Sequence, residues 1–373
     1  MSSSPVPASS SKHVSRQALL LEMLAGVVDP RDPRGRRHTV AALLAVAVGA
    51  VLTGARGFTA IAQWAKDAGP ARLAVLGMRK VADESTFRRV FARLDADGLD
   101  QTLGAWAVTR VRTVGGRRVL AIDGKAVRGA RKRGAAVSFL VAALEHTTGV
   151  VAGQVGIDDK SSEITAARTL IERLDLDGAV VTMDALHAQR ETAAKIRAAG
   201  ADFVLAVKGN QKTLHTRLKA LPWKDVPAWT TTQRGHGRRA TRTIKVLQAP
   251  AWIEFEGTVQ VAQLRRTVTV KGKKSVEVVY VITSADVTAA DPATLAAWIQ
   301  GHWAVENKLH WVRDVTFDED RSAAAAGATP QVMASIRNTV IAILRTTGWT
   351  NVAHALRHHA RDLDRPIRAI LTA

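Results

Sequence analysis

Residues 119–125 read Val-Leu-Ala-Ile-Asp-Gly-Lys, a short apolar run that ends at the carboxylate of Asp123. An apolar run of this length followed by a glycine predicts a buried β-strand. Two more strand-like runs follow at 137–144 and 150–157, and an amphipathic helix is predicted over 163–174. This part of the chain therefore predicts three strands that lead into a helix.

The pattern of a strand that ends in a carboxylate recurs at Asp184. Here an apolar run over 179–183 precedes the aspartate, a helix is predicted over 188–199, and another strand over 202–207. Three strands, helix, strand, helix, strand is the order of an RNase H-like domain, in which a meander leads into parallel strands of a mixed sheet. Both aspartates would then end adjacent strands, at the edge where α/β sheets place ligand-binding residues.

The regions around this core differ from it in sequence pattern. Residues 1–15 are rich in Ser and Pro and predict a disordered tail, whereas 16–112 show helical spacing of apolar residues and predict a helical domain. Residues 221–288 are rich in β-branched side chains and predict a β-rich insertion. The core is therefore expected over 113–220 and 289–373, and the fold class is α/β, an RNase H-like mixed sheet with an N-terminal helical domain.

The composition favours a protein with real cores and a polyanionic partner. Of 373 residues 47% are apolar, and 53 Lys and Arg against 33 Asp and Glu give a formal net charge of +20. A field of this sign favours polyanions, of which nucleic acid is the commonest large one, although an ordinary basic enzyme has the same balance. The absence of cysteine excludes disulfides, thiol nucleophiles and zinc sites with Cys ligands.

One uncharged stretch, residues 39–55, resembles a membrane span. It is short for a bilayer and rich in small residues, so a fully buried helix is the better interpretation. The N-terminus lacks the apolar core of a signal peptide. We therefore expect a cytoplasmic, nucleoid-associated protein with no membrane partner.

The densest cluster of aromatic, imidazole and charged side chains lies within 301–311, in a region of helical pattern that runs from 292 to 312. On an α-helix His302, Glu306 and His310 would share a face at four-residue spacing, with Arg313 nearby. A carboxylate flanked by bases suits a metal and a scissile phosphate. An amphipathic surface helix and a His/Glu transition-metal site are the alternatives.

Paired carboxylates at strand ends indicate a divalent cation. Asp123 and Asp184 would repel each other unless cations compensate their charge. Oxygen ligands with room for water and phosphate suit Mg²⁺ or Mn²⁺. Two such ions can activate the attacking oxygen and stabilise the leaving oxygen in phosphodiester cleavage.

Four ordered motifs resemble ISAs-type insertion-sequence transposases, also called H-repeat-associated proteins, of the DDE superfamily. They are AIDGK at 121–125, TMDALHAQ at 182–189, FVLAVKGNQ at 203–211 and HWAVENKLHWVRDVTFDED at 302–320. The resemblance covers nearly the whole chain, including 20–67, which looks like the helical domain that precedes the catalytic core in that family.

The resemblance implies Mg²⁺-dependent hydrolysis of the element's ends, then attack of the freed 3′-OH on target DNA, with Mn²⁺ as a substitute. Asp123, Asp184 and Glu306 would be the catalytic triad and the metal ligands. Related transposases place a basic residue seven positions after the Glu, where Arg313 stands. They often have an Arg shortly before it too, and this chain departs from that pattern.

Phosphate contacts are expected from basic and polar residues after the catalytic strands, in the insertion and beside Glu306. Such residues add affinity without reading bases. The partner would be double-stranded DNA, from element ends and target, bound by a homodimer. The expected DNA-binding residues are Lys125, Arg128, Lys208, Asn210, Arg234, His236, Arg238, Arg239, His302 and Arg313.

The sequence leaves two alternatives to a transposase open. A metal-dependent DNA nuclease without strand transfer would use the same triad. A domesticated, non-catalytic DNA-binding protein would not need it, so the intact triad argues against that alternative. The domesticated protein nevertheless stays an alternative, because this chain has Gln300 near the position where related transposases often have an Arg.

Overall fold

A computed structural model describes residues 19–373 except 35, 112–115, 136, 138, 159–161 and 236. The predicted tail at 1–15 and the predicted DNA contact His236 lie outside the described residues. Helices precede the sheet in the chain. Their bounds are α1 Leu20–Ala25, α2 Val40–Leu52, α3 Phe58–Ala74, α4 Glu84–Phe91 and α5 Ala96–Val108.

The uncharged stretch at 39–55 forms the buried helix that its composition predicts. Thr39 begins α2 by accepting a hydrogen bond from the backbone N–H of Ala42, and every residue of α2 except Ala41 is buried. In the part of the chain that the structure describes, no helix is long and apolar enough to cross a membrane.

Nine described strands form one mixed sheet with the order β3-β2-β1-β4-β5-β9-β8-β7-β6. The first five are β1 Val119–Ala126, β2 Phe139–Glu145, β3 Val151–Ile157, β4 Val180–Met183 and β5 Asp202–Val207. β1, β2 and β3 pair antiparallel, whereas β1, β4 and β5 pair parallel. The predicted meander and the predicted parallel strands are confirmed.

Short helices connect these strands and cover the sheet. They are α6 Arg128–Arg131, α7 Glu163–Arg173, α8 Arg190–Ala198 and α9 Lys212–Lys219. α7 joins β3 to β4 and α8 joins β4 to β5, as the sequence predicts. α9 was not predicted, because its eight residues carry only Leu214 and Leu218 as buried positions.

The β-rich segment continues the central sheet. Its strands are β6 Ala228–Gly235, β7 Arg238–Gln248, β8 Gln260–Val270 and β9 Lys273–Thr283, all antiparallel. β9 pairs with β5, from Val204↔Thr283 to Val207↔Tyr280. The segment 234–242 is polar and Gly-rich, which suggests a loop, but its described residues include the paired ends of β6 and β7, and most of these residues are exposed.

The helix predicted over 292–312 changes its winding in the middle. It begins as α10, Pro292–His302, and continues as π-helical turns over Val305–His310 and Val312–Thr316. A π-helix bonds each N–H to the carbonyl five residues earlier; it is rare and often occurs at functional sites. The π-helical turns carry Glu306, His310 and Arg313.

Three final helices complete a core shared with the N-terminal helices. They are α11 Thr329–Thr346, α12 Val352–His359 and α13 Asp364–Leu371. α11 is buried along its length and contacts α2 and α5, and α13 contacts α1 and α2. The backbone N–H of Leu20 donates to the terminal Ala373 carbonyl at 2.8 Å. The two ends of the described chain therefore close one helical layer.

Candidate active site

Asp123 and Asp184 lie at the same end of two neighbouring parallel strands. β1 and β4 pair from Val119↔Val180 to Ile122↔Met183, so each aspartate follows the last paired position. Asp184 accepts a hydrogen bond from the backbone N–H of Leu186 at 2.9 Å. The spatial pairing expected from strand order is thus present.

The π-helical segment brings Glu306 and His310 towards Asp123. Nδ1 of His310 lies 3.2 Å from Oε2 of Glu306 and 3.8 Å from Oδ2 of Asp123. One ligand atom of each of these three residues lies within 4.8 Å of the other two. Among the described residues, this is the one group of three His, Asp or Glu side chains close enough to hold a metal ion together. Asp184 lines the same cleft but is not a member of that group.

Negative charge at this centre is poorly compensated. Burial raises the pKa of Asp123 to about 7, and the neighbouring carboxylates Asp184 and Glu163 raise it too, against a hydrogen bond from Gly124. Among the described residues neither Asp123 nor Glu306 forms an ion pair with Lys or Arg. Such a centre favours binding of a cation.

Glu163 and His187 form a buried pair behind Asp123. Their exposed fractions are 4% and 0%, and Nε2 of His187 lies 3.4 Å from Oε1 of Glu163. A Cβ at Gly124 would lie only 2.6 Å from that oxygen, so the glycine after Asp123 makes room for the carboxylate. In the sequence, Glu163 is recognisable only as the first residue of a predicted helix.

His302 is fixed by hydrogen bonds beneath the cleft. Its Nδ1 lies 3.1 Å from Oγ1 of Thr182, and Nε2 of His146 lies 3.1 Å from the same hydroxyl. Burial lowers the pKa of His302 to about 4 and that of His146 to about 3. Both rings are therefore neutral at neutral pH, and His302 adds no positive charge to the cleft.

A cleft of about 910 Å³ is lined by Asp123, Asp184 and Glu306 and by basic side chains of strands β7 and β8. The guanidinium of Arg266 lies 5.9 Å from the ring centroid of the exposed Trp303. Of the expected DNA contacts, Lys208, Arg238 and His302 line this cleft. Arg242 and Arg266, two further cations of the β-rich segment, also line the cleft.

Other expected DNA contacts lie outside the cleft lining. Arg128, Arg234 and Arg239 are exposed, Arg128 with its Nη1 3.7 Å from Asp320. Asn210 donates from Nδ2 to the Ala185 carbonyl at 2.6 Å. Its side chain therefore fixes the turn that follows Asp184.

The expectation that Lys125 and Arg313 contact phosphates needs correction. Nζ of Lys125 lies 2.6 Å from Oδ1 of Asp314, and Nη2 of Arg313 lies 2.7 Å from Oε2 of Glu319. Lys125 is 7% exposed and Arg313 is 0% exposed. Both cations are instead paired with carboxylates of the chain, Lys125 with Asp314 and Arg313 with Glu319.

The donor set fits a hard divalent cation. Carboxylate oxygens of Asp123 and Glu306 meet within 4.8 Å, with Asp184 on the same cleft. Mg²⁺ and Mn²⁺ prefer such oxygen ligands. The lack of a Lys or Arg partner for Asp123 among the described residues also favours binding of a cation at this centre.

Comparison with known proteins places the chain in a family. Residues 114–342 match the family described as "Transposase DDE domain", and residues 21–107 match "DDE_Tnp_1-associated". A solved chain titled as the piggyBac transposase synaptic complex with hairpin DNA aligns with a TM-score of 0.45 and 10% identity, over 92% of this chain and 74% of that chain.

Two curated relatives from Escherichia coli align over 349 residues. "Putative transposase YncI" of strain O157:H7 is 30% identical, over 87% of each chain. The "H repeat-associated putative transposase YhhI" of strain K12 is 31% identical, over 87% of this chain and 90% of that protein. The chain belongs to the DDE transposases, enzymes that cleave nucleic acid, and among them to the H-repeat-associated group.

Proposed function

We propose that this transposase cleaves double-stranded DNA at the ends of its element and joins the freed 3′ ends to target DNA. Asp123, Asp184 and Glu306 would be the catalytic carboxylates and the metal ligands. The observation that supports this most is that all three line one cleft together with basic side chains of the hairpin strands. The alternatives remain a nuclease without strand transfer and a domesticated DNA-binding protein.

The proposed cofactor is Mg²⁺, with Mn²⁺ as a substitute. Asp123 and Glu306 would hold it together with Asp184 at the end of the neighbouring strand β4. When bound, such an ion supplies activation of the attacking oxygen and stabilisation of the leaving oxygen. The close approach of these carboxylates and the raised pKa of Asp123 support this proposal.

The proposed DNA path runs along the hairpin strands and across the carboxylate cleft. Arg238, Arg242 and Arg266 on the strands, and Lys208 after β5, would hold phosphates. His302 would donate a hydrogen bond without adding charge. Exposed cations further along the surface would add affinity that falls with salt. These residues are Arg128, Arg234 and Arg239.

Further proposals concern assembly and architecture. Synapsis of two element ends favours a homodimer on DNA, and the basic charge favours a cytoplasmic, nucleoid-associated protein. The first five strands have the order of an RNase H-like core, which supports that fold assignment. We propose the divisions 16–112, 113–220, 221–288 and 289–373 as helical domain, core, insertion and second part of the core.

A plasmid assay tests cleavage. Supercoiled DNA that carries the sequences flanking the gene is incubated with the full chain in Mg²⁺ or EDTA. We expect nicked and linear products from wild type in Mg²⁺, and none from Asp123→Ala. The matched control is Asp175→Ala, an exposed carboxylate before β4 at the opposite end of that strand. Equal cleavage by Asp123→Ala would refute the proposed centre.

A second assay separates transposase from nuclease. Precleaved ends with a free 3′-OH are mixed with target plasmid and Mg²⁺. Joined products support strand transfer, whereas hydrolysed products alone support a nuclease. Tight binding without any cleavage would support the domesticated protein. Terminal inverted repeats on either side of the gene would favour a mobile element.

A further inference from the structure

The buried histidine His310 faces the carboxylate centre. It is 5% exposed, and its Nδ1 lies 3.2 Å from Oε2 of Glu306 and 3.8 Å from Oδ2 of Asp123. One nitrogen thus faces oxygens from two elements that are far apart in sequence. Its other nitrogen, Nε2, is buried without a hydrogen-bond partner.

We propose that His310 is a ligand of the metal centre, which would then have an imidazole nitrogen beside the carboxylates of Asp123 and Glu306. This inference rests on the proposed metal-dependent function and adds a residue outside the proposed triad. If the role of His310 were structural, its hydrogen bond to Glu306 would be sufficient. A ligand needs a geometry in which all three donors can reach one ion.

The two distances from Nδ1 of His310 fit that requirement, and the ligand atoms of Asp123 and Glu306 lie within 4.8 Å of each other. For metal–ligand bonds of about 2.1 Å, octahedral geometry places adjacent donors about 3.0 Å apart and opposite donors about 4.2 Å apart. The distances of 3.2 Å and 3.8 Å from Nδ1 lie within this range. An ion among these atoms would also offset the two carboxylates, which no Lys or Arg pairs with among the described residues.

One short helical segment supplies two of the three donors. Glu306 and His310 both belong to the π-helical turn Val305–His310. Side chains four positions apart lie on the same face of a helix. The same turn brings both side chains to Asp123 of β1.

A nitrogen donor changes which ions the centre prefers. Sites built from oxygen alone suit Mg²⁺, whereas imidazole nitrogen suits later first-row ions. His310 would therefore strengthen binding of Co²⁺ relative to Mg²⁺. The corresponding measurement is displacement of bound Mn²⁺ by each ion.

The test is pulsed electron paramagnetic resonance of Mn²⁺ bound to the full-length chain without DNA. A directly bonded imidazole gives nitrogen-14 modulation of the spin echo. We expect this modulation in wild type and its loss in His310→Asn, with the Mn²⁺ dissociation constant raised at least about tenfold, since even outer partners of a metal ligand are worth that much. His359→Asn, which removes another buried histidine, should behave as wild type.

Two outcomes overturn the inference in distinguishable ways. Bound Mn²⁺ without nitrogen modulation in wild type would refute ligation by His310 and leave the carboxylate centre intact. Mn²⁺ binding that is unchanged in Asp123→Asn would refute the proposed metal centre itself. The decisive spectrum is that of wild type, so a variant that fails to fold does not remove the test.

Discussion

Two carboxylate clusters adjoin the π-helical segment, and they differ in how their charge is balanced. The open cluster is Asp123, Asp184 and Glu306, which line the cleft. The closed cluster surrounds Glu319, which lies 2.7 Å from Nη2 of Arg313 and 2.8 Å from Nη1 of Arg337. The closed cluster thus carries its own cations, and the open one does not.

The pKa values of the two clusters express this difference. Burial alone would raise the pKa of Glu319, but Arg313 and Arg337 outweigh burial and lower it to about 2. Asp123 has no such partner, so burial raises its pKa to about 7. Crowded carboxylates thus stabilise the fold where the chain supplies cations, and they can bind a cation from solution where it does not.

The largest effect is expected at the open cluster. Asp184→Asn should lower DNA cleavage in Mg²⁺ by at least about a thousandfold, roughly 4 kcal/mol of transition-state stabilisation, because a neutral amide is a poor ligand for the cation. DNA binding should be unchanged or slightly stronger, since a negative charge is lost. Plasmid cleavage and binding isotherms measure the two effects. A variant that still cuts at the wild-type rate would contradict the assignment.

At the closed cluster a substitution should affect folding. Glu319→Gln leaves two buried guanidinium groups without their carboxylate, which should lower the free energy of unfolding by about 3–5 kcal/mol. The matched control is Asp318→Asn, which weakens the exposed ion pair with Arg56 and should cost at most about 1 kcal/mol. Chemical denaturation measures both. Equal losses would mean that burial of the pair is irrelevant.

The pH dependence of stability should differ between wild type and Asp123→Asn in EDTA. The folded pKa of Asp123, about 7, lies above the ordinary value of 3.8. Its contribution is therefore complete below about pH 4 and is lost as pH rises through 7. The difference between the two proteins should change by at most about 4 kcal/mol over that window, and Mg²⁺ should reduce it. Parallel pH profiles in EDTA would argue against an uncompensated centre.

The smallest effect concerns the cations that face the open cluster. Arg238→Ala should weaken binding to all DNA sequences alike and reduce the slope of log affinity against log salt by about 1. Arg72→Ala, which removes the same charge from a surface pair with Asp364, should leave the slope unchanged. Fluorescence anisotropy at several salt concentrations measures both. Equal slopes in all three proteins would remove Arg238 from the DNA path.

The strand order could be predicted because its signals are local. The apolar runs before Asp123 and Asp184 and the spacing of the helices between them are visible in short windows. The strand over Ala228–Gly235 was missed because nearly all its side chains are exposed and polar. The sequence placed His310 on one helix face with His302 and Glu306, where a His/Glu transition-metal site was one alternative, but nothing near it in sequence indicated its approach to Asp123.

The element order, the two strand-end aspartates and the excess of positive charge follow from the amino-acid sequence alone. Which charges lack a partner depends on the folded arrangement of the side chains. Lys125 and Arg313 look like phosphate contacts in the sequence, yet the fold directs them to the buried ionic cluster around Glu319. The reason is physical: strand pattern depends on neighbouring residues, whereas the partner of a charge depends on side chains that only folding brings together.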